Sequence, residues 1–241
     1  RMMLRSITCL LMCIPFVALS QPPEISNIIA DYMDELEGFS GSVMVASEGK
    51  PIFMEGYGMV NDDQSIDVNT LFDIGSITKP FTATAILKLS EEGKLSIRTP
   101  LSTYFPDLPE EKGGITIHQL LTHSAGLPGA LGHDYDLISR EDYLKLVAEC
   151  KLLYQPGAGY EYSNVGYSLL AMIIESLSGK EYDSFLREDV IFPAKMLMTG
   201  YSPQGIDYMP VALGVNADGS DWGNPRSKAW DGNQPSWHLR G

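Results

Sequence analysis

A proline at position 80 sets the sharpest local condition on this chain. It stands in "GSITKPF", residues 75–81, at the head of a run in which Phe81, Ala85, Ile86 and Leu89 recur at helical spacing and Gly93 follows as a stop. Inside a helix, proline removes a backbone hydrogen bond and clashes with the preceding turn. It is tolerated only in the first turn, where amide groups lack intrahelical partners anyway. The run therefore reads as a helix over 76–92 that begins very near Ser76.

That placement gives Ser76 and Lys79 a chemical meaning. Residues three apart share a helix face, so the Lys79 amine can reach the Ser76 hydroxyl. The start of a helix also offers free N–H groups and a positive dipole end for a developing oxyanion. The amine works as a base only where burial or a neighbouring charge keeps it neutral, and Phe72, Ile74 and Phe81 supply an apolar setting. The bland alternative is a capping serine beside a solvated lysine. Spacing alone does not decide, because Ser47 and Lys50 repeat it across a turn where no helical face can form.

Elsewhere the pattern alternates between helix and strand. Ile25, Ile28, Ile29, Tyr32 and Met33 predict an amphipathic helix over 25–37, closed by Gly38. Strands follow at 42–47 and 52–60, joined by the turn Glu48-Gly49-Lys50-Pro51. A helix over a hairpin opens an antiparallel sheet with helices on its face. Residues 94–200 read as mainly helical. Thr116 with Gln119 forms a capping box for a helix through His123, and Gly126 closes it. Ser139 caps a helix over 140–150, Asn164 caps one over 165–177 that Gly179 stops, and 182–191 forms another before Pro193. Residues 201–241 are rich in Gly, Asp, Asn and Pro, with a short strand near 209–215.

The first residues read differently. Arg1 and Arg5 precede an apolar run from Ile7 to Leu19, and Ala18 and Ser20 fit a signal-peptidase site ahead of Gln21. Residues 1–20 are expected to be a cleaved export signal, the run being too short to span a membrane, so the mature chain makes no stable membrane insertion. Removing it leaves Cys150 alone, so the exported domain, residues 21–241, holds by packing without an internal disulfide. Localisation is then periplasmic or extracellular. A formal net charge of −14 excludes a nucleic-acid partner, since no excess of Lys and Arg exists to displace phosphate counterions.

A second segment carries chemistry. In "GYEYSNVGY", 159–167, Tyr162 and Asn164 bring a phenol and an amide to a loop–helix junction. A phenol can relay a proton to a serine, and an amide can hold both a lysine and a substrate. The plain reading is a helix cap at Asn164 beside a packed tyrosine.

Taken together, "FDIGSITKPFTATAILKLSEEGKLSIRTPLSTYFPDLP", "ITIHQLLTHSAGLPG" and "QPGAGYEYSNVGYSLLAMIIESLSGKEYDSFLREDVIFPAKMLMTGY" resemble the serine β-lactamase-related family. That family comprises class C β-lactamases, D-alanyl-D-alanine carboxypeptidases, D-aminopeptidases and related esterases. "LLTHSAGLPG" and "YSNVGY" are far more specific than the Ser-x-x-Lys spacing. The resemblance implies an α/β (α+β) fold of the β-lactamase/transpeptidase type, an antiparallel sheet flanked by helices with a mainly helical inserted region. It implies that Ser76 is a nucleophile forming an acyl-enzyme, that Lys79 and Tyr162 share the proton transfers, and that Asn164 contacts the lysine and the substrate. The Ser76 N–H would be one oxyanion donor. The substrate would be a small molecule or peptide: an ester, a β-lactam or a D-amino-acid peptide.

The chain departs from the family in one respect. The family's third motif, Lys-Thr-Gly or a His-x-Gly relative, is absent, and His238 in "WHLRG" is followed by Leu239 and Arg240. The sequence is read as a piece cut at both ends, its sheet incomplete and its turnover small. No Gly-x-Ser-x-Gly elbow is present. His118, His123 and His133 have no metal-ligand spacing and are expected to bond locally or face solvent; no metal or cofactor is implied. "NADGSDWGN", 216–224, lacks the order of a calcium loop and reads as a polar turn-rich loop, and Trp222, Trp230 and Trp237 either stack on sugar or aromatic groups or anchor a long loop. The rival to a serine hydrolase is a non-catalytic relative that binds peptidoglycan fragments or a protein partner.

Overall fold

In the computed structural model, the described residues are 23–36, 38–61, 63–133, 138–200, 209–215 and 220–223. The expectations for residues 1–20, 216–219, Trp230, Trp237 and His238 lie outside them. The chain divides into two compact units. One runs to Met59 and includes Ser65–Val68, and the other comprises Val60–Gln64 and the chain from Asn69 onward.

In the first unit, helix α1 (Pro23–Asp34) precedes strands β1 (Gly41–Ser47) and β2 (Lys50–Tyr57). The strands pair antiparallel from Ser47 opposite Lys50 to Gly41 opposite Tyr57. The connecting turn is two residues long, shorter than the expected four, and Glu48 and Gly49 have φ of 50° and 74°. Two consecutive positive φ values define a type I′ turn, whose twist matches that of the strands it joins. The register slips between Val45 and Ala46, which lets Pro51 pair without an N–H to give. The strand expected to run to residue 60 breaks at Gly58, where φ is 82°.

The Ser26 hydroxyl donates to the Ile52 carbonyl at 2.9 Å and ties α1 to β2. Met33 and Phe53 are buried. The expected apolar face of α1 is only partly used, since Ile28 is 65% and Tyr32 62% exposed. The helix also ends three residues early.

Short strands β3 (Met59–Asn61) and β4 (Gln64–Ser65) follow. The second unit then begins its helical part with a 3-10 turn, Gly75–Ile77, which leads into α2 (Thr78–Glu91). The helix thus starts two residues later than expected, with Pro80 still in its first turn. A 3-10 turn at Leu101–Thr103 and the short α3 (Glu110–Gly113) come next. They lead to α4 (Ile117–Leu121), α5 (Arg140–Glu149) and α6 (Asn164–Ser178). The four-residue α7 (Tyr182–Phe185) runs into a π-helical turn, Leu186–Ile191, where a single helix was expected. Strands β5 (Gly214–Val215) and β6 (Asp221–Gly223) pair antiparallel. Val211 bridges Leu71 in parallel, through Leu71 N–H to Pro210 O and Ala212 N–H to Leu71 O.

The caps explain where the helices begin. Thr116 and Gln119 form the expected capping box on α4, and the Ser139 hydroxyl accepts from Asp142 N–H on α5. Gly179, at φ 68°, closes α6 in the left-handed conformation.

Helix α6 is apolar over most of its length, from Val165 to Ile174, and is the spine of the core. Leu169, Leu170, Ile173 and Ile174 are fully buried against Ala85, Ile86 and Leu89 of α2 and Ile117 and Leu120 of α4. Each such side chain contributes about 1.5–3 kcal/mol relative to exposure. A buried hydrogen bond between Thr82 Oγ1 and the Tyr182 hydroxyl, 2.6 Å long, fixes α2 against α7. This packing holds the first turn of α2 beside the first turn of α6.

Candidate active site

The site residues stand where those two first turns meet. Gly75 has φ of 48°, and its N–H is taken by the Asp73 carboxylate at 3.0 Å. Ser76 follows in the second position of the 3-10 turn, exposed, with its amide among those that lack an intrahelical partner. Lys79, one turn on, is 4% exposed. Its Nζ donates to Ser76 Oγ at 3.0 Å and to Asn164 Oδ1 at 2.9 Å. It also lies over the Tyr162 ring, 4.5 Å from the centroid, and 5.5 Å from that of Tyr167. Among the described residues, no carboxylate forms an ion pair with Lys79. An exposed hydroxyl therefore rests on a buried amine whose contacts are an amide oxygen and two aromatic faces.

All four residues singled out in the sequence come together around that amine. The role expected of Asn164 at the helix start is corrected. Ser163 is the cap: its backbone is extended and its hydroxyl accepts from Gly166 N–H at 3.2 Å. Asn164 is the first helical residue, and its amide oxygen is thereby left for Lys79. Tyr162 is 42% exposed and its hydroxyl makes no hydrogen bond to a described residue. Its ring, rather than its hydroxyl, makes the contact with Lys79.

The segment carrying Tyr162 and Asn164 is laced to residues 123–129. Glu161 N–H donates to His123 O at 3.0 Å, and Asn164 N–H to Gly129 O at 2.8 Å. The Ser163 hydroxyl donates to Pro128 O at 2.7 Å. Leu153 N–H and Gly157 N–H reach Gly126 O and Ser124 O, both at 2.8 Å. A Cβ on Gly126, where φ is 77°, would stand 2.2 Å from Tyr154 O, so only glycine fits there. The segment "LLTHSAGLPG" thus acts as a backbone template for "YSN".

His123 is the residue the sequence left without a part. It was expected to bond locally or face solvent, as His118 and His133, both exposed, do. Instead Ser163 N–H, 40 residues away, donates to its Nδ1 at 3.0 Å. Its ring lies 4.6 Å from that of Tyr162 and 5.1 Å from that of Tyr167, each tilted by about 30°, with Tyr160 edge-on. Burial, and then the charge of Lys79, hold its pKa below the usual histidine value. Burial likewise raises the Tyr167 phenol, helped by Tyr162 and Tyr160.

Among the described residues, no group of His, Cys, Asp or Glu is placed to hold a metal ion. No helix there is long and apolar enough to cross a membrane.

Comparison with known proteins identifies the family and the fold. The family described as Beta-lactamase matches residues 25–236. A penicillin-binding protein of Bacillus subtilis (strain 168) is 32% identical over 191 residues, which cover 73% of this chain and 42% of that protein. The crystal structure of a penicillin-binding protein from Bacillus halodurans is 31% identical, with a TM-score of 0.66, over 89% of this chain and 66% of that one. A mutant class C beta-lactamase shares the fold, with a TM-score of 0.73 at 22% identity, over 90% of this chain and 59% of its own. The chain spans less than half the length of the curated relatives it matches.

Proposed function

The chain belongs to the beta-lactamase family, and from that premise we propose that it is an exported serine hydrolase that works through an acyl-enzyme on Ser76. The observation that carries this reading is the position of the Lys79 amine, buried and in hydrogen-bond contact with both Ser76 Oγ and Asn164 Oδ1. The basic start and apolar run of residues 1–20 support export.

In the proposed reaction, Ser76 Oγ adds to the carbonyl carbon of an ester, β-lactam or D-amino-acid amide. Its proton passes to the Lys79 amine or the Tyr162 phenolate. The oxyanion is received by the Ser76 N–H at the start of the helix. Collapse of the tetrahedral intermediate breaks the bond to the leaving alcohol or amine, which takes a proton from the same pair. Water then cleaves the ester on Ser76 and frees the acid. Asn164 keeps Lys79 in line and offers its N–H₂ to the substrate.

The test is covalent. The chain and its Ser76→Ala variant are incubated with a fluorophosphonate, and the intact mass is recorded. One adduct on the wild type, absent from the variant, is the expected result. A wild type that stays unmodified would refute an activated Ser76. Parallel incubation with benzylpenicillin, a nitrophenyl ester and a D-alanyl-D-alanine peptide then separates the substrate classes.

A further inference from the structure

We infer that His123 is a positioning residue, whose unprotonated Nδ1 and ring face hold Tyr162, Ser163 and Asn164 in place against Lys79. The inference rests on the proposed reading of Ser76 for its chemistry, but on the geometry around His123 for its content.

Two backbone N–H groups bracket Tyr162 in the chain, those of Glu161 and Ser163, and both end on His123. Glu161 N–H goes to the main-chain oxygen at 3.0 Å, and Ser163 N–H to the ring nitrogen at 3.0 Å. Between them, the imidazole stacks on the Tyr162 ring that faces Lys79. One residue thus grips the segment by its backbone on both sides of Tyr162 and by its side chain in the middle. His123 reaches this pose through a left-handed backbone, φ 55°, uncommon for residues other than glycine, though histidine, asparagine and aspartate adopt it more often than most. A nitrogen that accepts from an amide carries no proton, so in the neutral ring the proton is on Nε2.

The groups facing the imidazole leave it little company for a second positive charge. Lys79 approaches from α2, Tyr160 and Tyr162 from the loop before α6, and Tyr167 from α6 itself. The Tyr154 hydroxyl donates to the His123 carbonyl at 3.3 Å. Protonation would turn Nδ1 into a donor facing the Ser163 N–H and release one of the two backbone ties. The folded chain resists that proton relative to the ordinary histidine value of 6.5, so below about pH 6.5 the unfolded chain binds it first. The contribution of His123 to stability is complete above that pH and is lost as the pH falls towards the lower, folded-state value.

Three variants separate the parts. His123→Asn keeps an acceptor oxygen near the Nδ1 position and suits the left-handed backbone. His123→Phe keeps a ring without an acceptor, and His123→Ala removes both. Rates of Ser76 labelling by the fluorophosphonate are measured at pH 8 with each melting temperature. His123→Phe should label about tenfold more slowly than the wild type, the equivalent of one hydrogen bond, and His123→Asn should stay within about threefold. Nitrogen NMR of the wild type should show an unprotonated His123 Nδ1 at pH 7, titrating below 6.5 together with loss of protection at the Ser163 amide. A protonated Nδ1 at pH 7 would overturn the proposal, as would a folded His123→Phe that labels at the wild-type rate. If the wild type takes no label, the nucleophile reading fails by itself, and the nitrogen signals still decide the part played by His123.

Discussion

The helix–hairpin unit and the helical unit obey their local sequence about equally well, yet only one of them buries what it patterns. In the first, a type I′ turn and an antiparallel register arise from a few residues, but Ile28, Tyr32, Met44 and Met54 remain exposed. In the second, α6 is buried from Val165 to Ala171 and again at Ile173 and Ile174, and the chemistry-bearing residues converge on its first turn. The difference shows what local signals specify. Turn chemistry and alternation fix the path of the backbone, whereas a fixed side chain needs neighbours from distant parts of the chain. Lys79 and Asn164 are 85 residues apart and touch because α2 and α6 share a core, not because either segment prefers it.

If that contrast is right, truncation in the α6 core is the most damaging change. Ile173→Ala should cost about 2–5 kcal/mol in urea unfolding, since the fully buried residue leaves a cavity that packed neighbours cannot close. A loss below about 1 kcal/mol, in the range of surface substitutions, would mean that the core is looser than its burial indicates and would remove one side of the contrast.

Next in size is the template segment, residues 123–129. Gly126→Ala places a methyl group against the Tyr154 carbonyl in a left-handed backbone, so about 1–3 kcal/mol of strain is expected. Here the readout is double. Because residues 123–129 hold the Tyr162–Asn164 segment, Ser76 labelling should fall together with stability. Stability lost without any change in labelling would separate the template from the site.

The sequence disclosed a good deal of this, and its failures have a common cause. Pro80 dictated the start of α2, and the three-residue spacing put Ser76 and Lys79 on one side of it, because both are properties of a single helix turn. The Ser163/Asn164 cap was misassigned, since serine and asparagine cap equally well in isolation. Lys79 settles the matter by engaging the asparagine oxygen, and that partner lies outside the segment. The same holds for His123. Nothing within five residues of it signals an acceptor for Ser163 N–H or a stack of tyrosines. The exposed face of α1 is the reverse case, periodicity that the described contacts do not cash in.

A smaller effect tests whether local signals also carry energy. Thr116→Ala removes the oxygen that caps α4 and leaves the Gln119 N–H unsatisfied, at a cost of about 1 kcal/mol. The restoring variant is Thr116→Ser, which keeps the hydroxyl. If both variants lose the same amount, the methyl group rather than the cap is what α4 needs.

The smallest expected effect is the most informative about the hairpin. Met54 projects from β2 with 45% of its surface exposed, opposite Met44 in the register. Met54→Gln substitutes a polar side chain of similar length at a position that is only about half covered. Away from caps, cores and strained backbone, such a change should move stability by no more than about 0.5 kcal/mol. The contrast between the units predicts this small effect, because a side chain with 45% of its surface exposed has far less to forfeit than one in the α6 core. A loss above about 1 kcal/mol would exceed what its own exposure allows and would mean that the methionine face is covered in solution. Sedimentation of the wild type and the variant over a range of concentrations then distinguishes the two cases. A weight that falls on substitution assigns the cover to a second copy of the chain, and an unchanged weight assigns it to the chain itself.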